Sequence, residues 1–218
     1  MKIAVNKAHF PVTVLGPGRR IGIWVQGCGI GCKGCISRDT WSRDAGSETT
    51  VARLLTWCRE VAGDAFDGVT ISGGEPFDQP AALSALLDGL AHWRESLASD
   101  FDILCYSGYP LAKLQRKHAR LLQKLDALIP EPFVENLPMS RLWRGSANQP
   151  LVVLTERGKR KYSAHVDAAA AEAGKQMQIM VEGSKVWFVG IPARGDMQAL
   201  EDSCRERGIA FERASWRQ

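Results

Sequence analysis

In Ile21-Gly22-Ile23-Trp24-Val25-Gln26-Gly27-Cys28-Gly29-Ile30-Gly31-Cys32-Lys33-Gly34-Cys35 the chain changes character midway. Ile21 to Val25 is an apolar run of the length of a buried strand, entered from the turn Gly16-Pro17-Gly18. From Gly27 to Arg38 the sequence is rich in Gly and Cys and follows neither the helical nor the strand period, so it reads as a loop. The same succession recurs at Gly68-Val69-Thr70-Ile71-Ser72, a second strand that ends in Gly73-Gly74.

Between and beyond these strands lie helical stripes. Thr49 or Thr50 caps a helix with Val51, Leu54, Leu55, Cys58 and Val61 on one face. A second stripe runs through Leu83, Leu86, Leu87, Leu90, Trp93 and Leu97. A strand at Phe101 to Tyr106, a helix over Leu111 to Leu125 and a strand at Ala127 to Ile129 follow. Strand and helix alternating in crossover-sized steps predict an α/β fold with a parallel sheet and helices outside it. Such sheets carry their chemistry in the loops after the strands, so the loops at Cys28 and Gly73 should share one rim.

Past Leu154 the texture changes. An alanine-rich helix is expected over Ser163 to Ala173, then a hairpin of Met177 to Glu182 and Lys185 to Ile191 turning at Gly183-Ser184. A helix over Asp196 to Arg207 and a strand at Ile209 to Glu212 complete the pattern. The expected division is a core of residues 1–155 and a helix-plus-hairpin appendage of residues 156–218 packed on it.

The 218 residues are 45% hydrophobic and 24% charged with a formal net charge of +4, which suits a soluble globular chain. So mild a charge permits an acidic or nucleotide partner without arguing for one. The densest basic run, Arg157, Lys159, Arg160 and Lys161, reads as a solvated loop. Met1 to Val5 lacks the pattern of a secretory signal, and no apolar stretch is long enough to span a membrane. The expectation is a cytoplasmic protein with reduced thiols, in which clustered cysteines are a metal site before they are a disulfide framework.

Cys28, Cys32 and Cys35 form a C-x3-C-x2-C loop whose thiolates can hold three corners of a cubane cluster. No fourth cysteine lies nearby, so one iron would stay open to a substrate or cofactor. The alternative is zinc, held by the same thiols and one of His9, His92, His118 or His165. Cys58, Cys105 and Cys204 read as small buried residues. Ser72-Gly73-Gly74-Glu75-Pro76 adds a second signal: its backbone can approach a ligand closely, and Glu75 can accept from an ammonium group.

With these two loops the sequence resembles the radical S-adenosylmethionine (SAM) superfamily. Within it, the chain is most similar to the anaerobic ribonucleotide reductase activating proteins, a class of glycyl radical enzyme activases. The matching stretches are Gly16 to Arg19, Trp24 to Cys28, Cys35 to Trp41, Ser72 to Phe77, Ser107-Gly108-Tyr109 and Arg144-Gly145-Ser146-Ala147-Asn148-Gln149. The resemblance implies a partial (β/α)6-type barrel with the α+β appendage added. It implies a [4Fe–4S] cluster on Cys28, Cys32 and Cys35, with SAM chelated through its methionine amino and carboxylate groups at the open iron. Gly73, Gly74 and Glu75 would hold that amino group, Gly34 and Ile36 would border the adenine, and Ser107 would contact the ribose or carboxylate. Reductive cleavage would then give a 5′-deoxyadenosyl radical, with electrons from a donor such as flavodoxin or ferredoxin, and a glycyl radical enzyme as protein substrate. Pro130-Glu131-Pro132-Phe133 departs from the Asp-Gly that such activators usually carry there. Two other readings stand beside this one: a radical SAM enzyme acting on a small molecule or peptide, and a non-catalytic metal-binding module.

Overall fold

Apolar runs that alternate with amphipathic helices leave one solution for the backbone: pair the runs in a sheet and lay the helices across it. The computed structural model describes residues 1–63, 65–97, 100–170 and 177–217. In chain order the elements are β1 (Lys2–Val12), β2 (Arg20–Val25), β3 (Glu48–Thr50), α1 (Val51–Ala62), β4 (Gly68–Gly73), α2 (Pro80–Ser96), β5 (Asp102–Tyr106), α3 (Leu111–Leu122), β6 (Ala127–Ile129), β7 (Val152–Val153), α4 (Glu156–Tyr162), β8 (Met177–Glu182), β9 (Lys185–Gly190) and α5 (Asp196–Glu206). Short 3-10 turns punctuate the loops.

The main sheet has seven strands in the order β3-β1-β2-β4-β5-β6-β7. Its middle, β2-β4-β5-β6, is parallel and in sequence order. Right-handed crossovers between strands in that order send α1, α2 and α3 to the same face. Strand residues alternate between faces, so Ile21, Ile23, Val25, Val69, Ile71, Ile103, Cys105 and Leu128 pack under the three helices. The sheet as a whole is mixed rather than parallel, because β1, β3 and β7 pair antiparallel. It does not close among the described residues; β3 and β7 are its two edges.

The opposite face is covered by residues late in the chain. Leu104, Ala127 and Ile129 pack with Leu151 and Tyr162, and Trp24 with Val12, Val14, Leu15 and Val189. The β8–β9 hairpin is fastened to β1 and the turn after it: Gln178 donates to the Pro11 carbonyl at 2.8 Å and accepts from the Thr13 amide at 3.0 Å.

At the entry end of the parallel strands the same face holds a polar cluster. Arg20 and Asp102, both fully buried, form a two-pronged ion pair at 3.0 and 2.7 Å. Arg20 Nε donates to Thr70 at 2.7 Å, and the Tyr162 hydroxyl donates to Asp102. Arg20 and Tyr162 hold the Asp102 carboxyl below its ordinary range, against the opposing pull of burial.

Three expectations for the late segment change. The basic run is not a solvated loop but α4, which starts at the Thr155 cap, where Oγ1 accepts from Gly158 at 3.0 Å. Its cations find acids on the sheet: Arg157 with Asp100 and Asp126, Arg160 with Asp100, Lys161 with Asp102. Of the alanine-rich helix only a 3-10 turn at Ser163–His165 appears, and residues 171–176 lie outside the described residues. No strand forms at residues 209–212; Phe211 and Trp216 instead set their rings edge-on to Phe188. Cys58 and Cys105 are buried as expected, whereas Cys204 on α5 is half-buried.

Candidate functional site

β2, β4 and β5 are parallel neighbours, so the loops that leave them meet at one end of the sheet. Backbone bonds tie the first two together: the Gly74 amide donates to Val25 O at 2.9 Å and the Glu75 amide to Gly27 O at 2.8 Å. The approach is too close for any side chain. A Cβ on Gly74 would lie 2.2 Å from the Gly27 carbonyl oxygen, and one on Gly73, whose φ is +103°, would lie 2.5 Å from the Val25 amide. The Gly-Gly pair is therefore a steric requirement of joining the two loops.

Glu75 carries the connection on to the third loop. Its carboxylate is fully buried. One oxygen accepts from the Phe77 amide at 3.0 Å and the Ser107 hydroxyl at 2.9 Å, the other from the Gly108 amide at 2.8 Å. Burial pushes its pKa up to about 7, opposed by those three donors, with nearby Asp78 adding to the rise. Three donors from the β5 loop and the turn thus fix the side chain, which leaves one acceptor position on the oxygen that receives Gly108. Ser107 is engaged in the same way, since its hydroxyl also accepts from the Tyr109 amide at 3.1 Å.

Asp78, which the motif reading passed over, closes the triangle. It accepts from the Gly29 amide at 3.0 Å and from the Tyr109 hydroxyl at 2.6 Å. Its sequence signal was the turn Glu75-Pro76-Phe77-Asp78, which seats a second carboxylate one 3-10 turn beyond the first. Gln79 next to it donates to the Gln26 and Ala4 carbonyls, both at 3.1 Å, and brings β1 to the same rim.

The cysteine loop leaves this rim at Gly27 and returns at Thr40 and Trp41, which accept from the amides of Gly27 and Cys28 at 2.7 and 3.0 Å. Between them Cys28, Cys32 and Cys35 are partly buried and unbridged. Burial raises the pKa of the Cys32 and Cys35 thiols, and the other thiols of the loop add to it. The nearby Phe133 amide at Cys32, and the Ser37 amide and Trp41 side chain at Cys35, pull the other way. Among the described residues no three His, Cys, Asp or Glu side chains are drawn together around a common metal position. Gly34 lies against the Glu135 carboxylate, and Ile36 is half-buried.

Three unbridged thiols on one glycine-rich loop, two of them raised by burial and by neighbouring charge, fit an iron–sulfur centre, since bound metal would take up the thiolate charge. The four histidines that zinc would call on have other neighbours: His9 faces Trp187, His92 Glu95, His118 Phe77 and His165 Trp143.

Comparison with known proteins agrees with this donor chemistry. Residues 14–152 match the family of 4Fe-4S single cluster domains. The chain is 36% identical over 149 residues to the anaerobic ribonucleoside-triphosphate reductase-activating protein of Vibrio cholerae, covering 65% of this chain and 92% of that protein. The chain belongs to that activating-protein family. Members of the family from phage T4 and Escherichia coli K12 are 31% and 30% identical over 138 and 149 residues, 86% and 93% of their lengths. The cysteine loop, the Gly73-Gly74-Glu75 turn and the Ser107 loop all fall inside the family match, whereas α4, the hairpin and α5 lie beyond Val152. No described helix is long and apolar enough to cross a membrane.

Proposed function

We propose that Cys28, Cys32 and Cys35 hold a [4Fe–4S] cluster, and that this chain is a cytoplasmic radical SAM activase for a glycyl radical enzyme, an anaerobic ribonucleotide reductase. Bound at that rim, the cluster and SAM would supply reductive cleavage of a carbon–sulfur bond and a 5′-deoxyadenosyl radical for hydrogen abstraction. A partial (β/α)6-type barrel is the frame this reading assigns to the parallel strands, with residues 1–155 as its core and 156–218 as an appendage. The observation that carries the reading is the joining of three strand-end loops through Gly27–Glu75, Glu75–Gly108 and Gly29–Asp78 contacts, the first of these loops bearing the three thiols.

In this reading the chain's own groups orient and exclude. Gly73 and Gly74 keep the second loop hard against the first, leaving backbone as the surface offered to the SAM amino group. Glu75 and Ser107 fix the loops from beneath, and this reading assigns the acceptor position left on Glu75 to the SAM amino group and Ser107 to the ribose or carboxylate. Gly34 and Ile36 border the adenine side. A flavodoxin or ferredoxin would supply the electron.

The test is anaerobic reconstitution with iron and sulfide, followed by dithionite and SAM. The expected product is 5′-deoxyadenosine, absent in Cys32→Ala. A reconstituted wild-type chain that binds zinc in place of iron and yields no 5′-deoxyadenosine would overturn the proposal in favour of a metal-binding module. A second reading, a small-molecule or peptide substrate, is favoured by one observation: Leu151, Tyr162 and Val189 cover the sheet face away from the helices. Radical formation on the partner reductase, read by its glycyl EPR doublet, separates the two.

A further inference from the structure

Helix α3 carries cations at Lys113, Arg116, Lys117 and Arg120 and no Asp or Glu. Residues three and four apart are neighbours on a helix, so Lys113, Arg116 and Lys117 share one face, away from buried Leu114. Arg120 follows, beyond a break in helical geometry at His118. Arg116, Lys117 and Arg120 are exposed and join no ion pair among the described residues. Other cations of the chain find acids: Lys124 meets Asp88 at 2.6 Å, and those of α4 meet Asp100, Asp102 and Asp126. Like charges at these spacings repel, and cations in the first half of a helix oppose its dipole, so the stripe works against the helix that bears it. Burial, with Lys113 and Lys117 adding to it, holds the His118 pKa below its ordinary value.

The stripe begins at the rim of the cysteine loop. Lys113 Nζ lies 3.1 Å from the centre of the Tyr109 ring, and the Tyr109 hydroxyl donates to Asp78 at 2.6 Å. Asp78 in turn accepts at 3.0 Å from the amide of Gly29, next to Cys28. Beside them Ile30 packs on Gly108, where an added Cβ would stand 2.6 Å from the Ile30 side chain. Around the cations the exposed residues of α3 are Ala112, Gln115 and Ala119, and the helix has no large exposed hydrophobic side chain. A cationic face without apolar anchors suits an encounter that is steered by charge, weak and quickly released, as between electron-transfer proteins, rather than a stable assembly. Its place beside the thiol-bearing loop favours a redox carrier over a polynucleotide.

We propose, resting on the cluster reading above, that Lys113, Arg116, Lys117 and Arg120 form the docking face for an acidic one-electron carrier protein. The carrier is oxidised by one electron and the cluster is reduced by one; any proton that the carrier's centre exchanges passes to or from water. Charge steering of this kind raises association rates by about 10- to 1,000-fold. It fades as salt screens it, the Debye length falling to about 3 Å at 1 M.

The probe is a flavodoxin of strongly negative net charge. Arg116→Glu/Lys117→Glu/Arg120→Glu is compared with wild type and with a control, Lys185→Glu/Arg194→Glu/Arg213→Glu, which changes net charge equally at exposed positions of the late segment. Calorimetry reads flavodoxin binding to the iron-free full-length chains at low salt and at about 1 M. Stopped-flow absorbance reads reduction of the reconstituted chains by photoreduced flavodoxin and, separately, by dithionite. The α3 variant should bind flavodoxin about tenfold or more weakly at low salt and take its electron more slowly, while wild type loses its advantage at high salt. Iron content, melting temperature and reduction by dithionite should not change. If the glutamate variant melts early, Arg116→Gln/Lys117→Gln replaces it, with a smaller loss of binding expected. Equal binding by variant and wild type, or an equal loss in the control, would overturn the docking face. So would a variant that keeps flavodoxin but loses a random-sequence DNA duplex or the partner reductase, and so would slowing by dithionite to the same degree. Wild type that takes up no iron but binds flavodoxin through this face would overturn the cluster reading and leave the docking face; iron-loaded wild type with indifferent variants overturns the docking face alone.

Discussion

Gly74→Ala tests the contact on which the joined loops depend. The added methyl carbon would lie 2.2 Å from the Gly27 carbonyl oxygen, 2.8 Å from its carbon and 3.1 Å from the Thr40 oxygen. Relaxed carbon contacts begin at about 3.5 Å, so the cysteine loop would have to retreat by about 1 Å. That movement stretches the Glu75–Gly27 and Gly74–Val25 bonds, now 2.8 and 2.9 Å, out of range. Two lost backbone bonds at about 1 kcal/mol each and about 2 kcal/mol of overpacking give about 4 kcal/mol. For a chain of this size that lowers the melting temperature by about 8–16 °C. Circular dichroism melts of the iron-free chain would read the loss, and iron analysis after reconstitution would show a fall in uptake, because Gly27 precedes Cys28. Gly63→Ala is the control for backbone strain alone: unlike Gly74 it has a positive φ, with nothing within 4 Å, and it should cost about 1–3 kcal/mol while leaving iron uptake unchanged. If Gly74→Ala melts with the wild type and loads full iron, the close approach of the two loops is wrong.

Asp102→Asn should cost about 3–5 kcal/mol in urea unfolding, since it strands the buried Arg20 charge, and Tyr162→Phe about 1.5–3 kcal/mol; equal midpoints for Asp102→Asn and wild type would refute the pair. Between an ordinary carboxylate pKa of 4.5 and about 7, unfolded Glu75 gives up a proton that the folded chain keeps, so its contribution to stability falls as pH rises through that window and is flat above it. Glu75→Gln lacks the proton, so the wild type's urea midpoint should decline relative to the variant's from pH 4.5 to 7; a rising or level difference would contradict the buried carboxylate. In the iron-free folded chain, iodoacetamide should modify Cys28, Cys32, Cys35 and Cys204 but spare Cys58, whose thiol burial pushes up to about 12, and Cys105. Mass spectrometry of the tryptic peptides reads this directly, and early labelling of Cys58 would count against the packing under α1.

How much of this was legible in sequence depended on whether a residue's partners were near or far. β2, β4, β5, β6 and the stripes of α1 to α3 were readable because each buries one face against a neighbour of the same kind. β1 was not: Asn6, Lys7, His9 and Pro11 break its apolar alternation, and it is held by β2 and β3 rather than by its own pattern. α4 looked like a charge run because its acids, Asp100, Asp102 and Asp126, come from segments distant in sequence. Glu75 was visible as a carboxylate in a loop, but its inward turn is decided by the Ser107 and Gly108 donors.

The Arg20–Asp102–Tyr162 cluster also bears on the order in which the polypeptide can reach its final state. Arg20 and Asp102 are 82 residues apart, and Tyr162 follows Asp102 by 60. A nascent chain emerging from the ribosome therefore holds the guanidinium at the foot of its first parallel strand unpaired until Asp102 has been synthesised, and the pair without its Tyr162 donor until α4 has followed. Such long-range closure makes for slow folding, and its last step belongs to residues beyond the part shared with shorter relatives. Truncation at the family boundary would thus not release a ready-made core; it would leave the foot of the sheet unsealed.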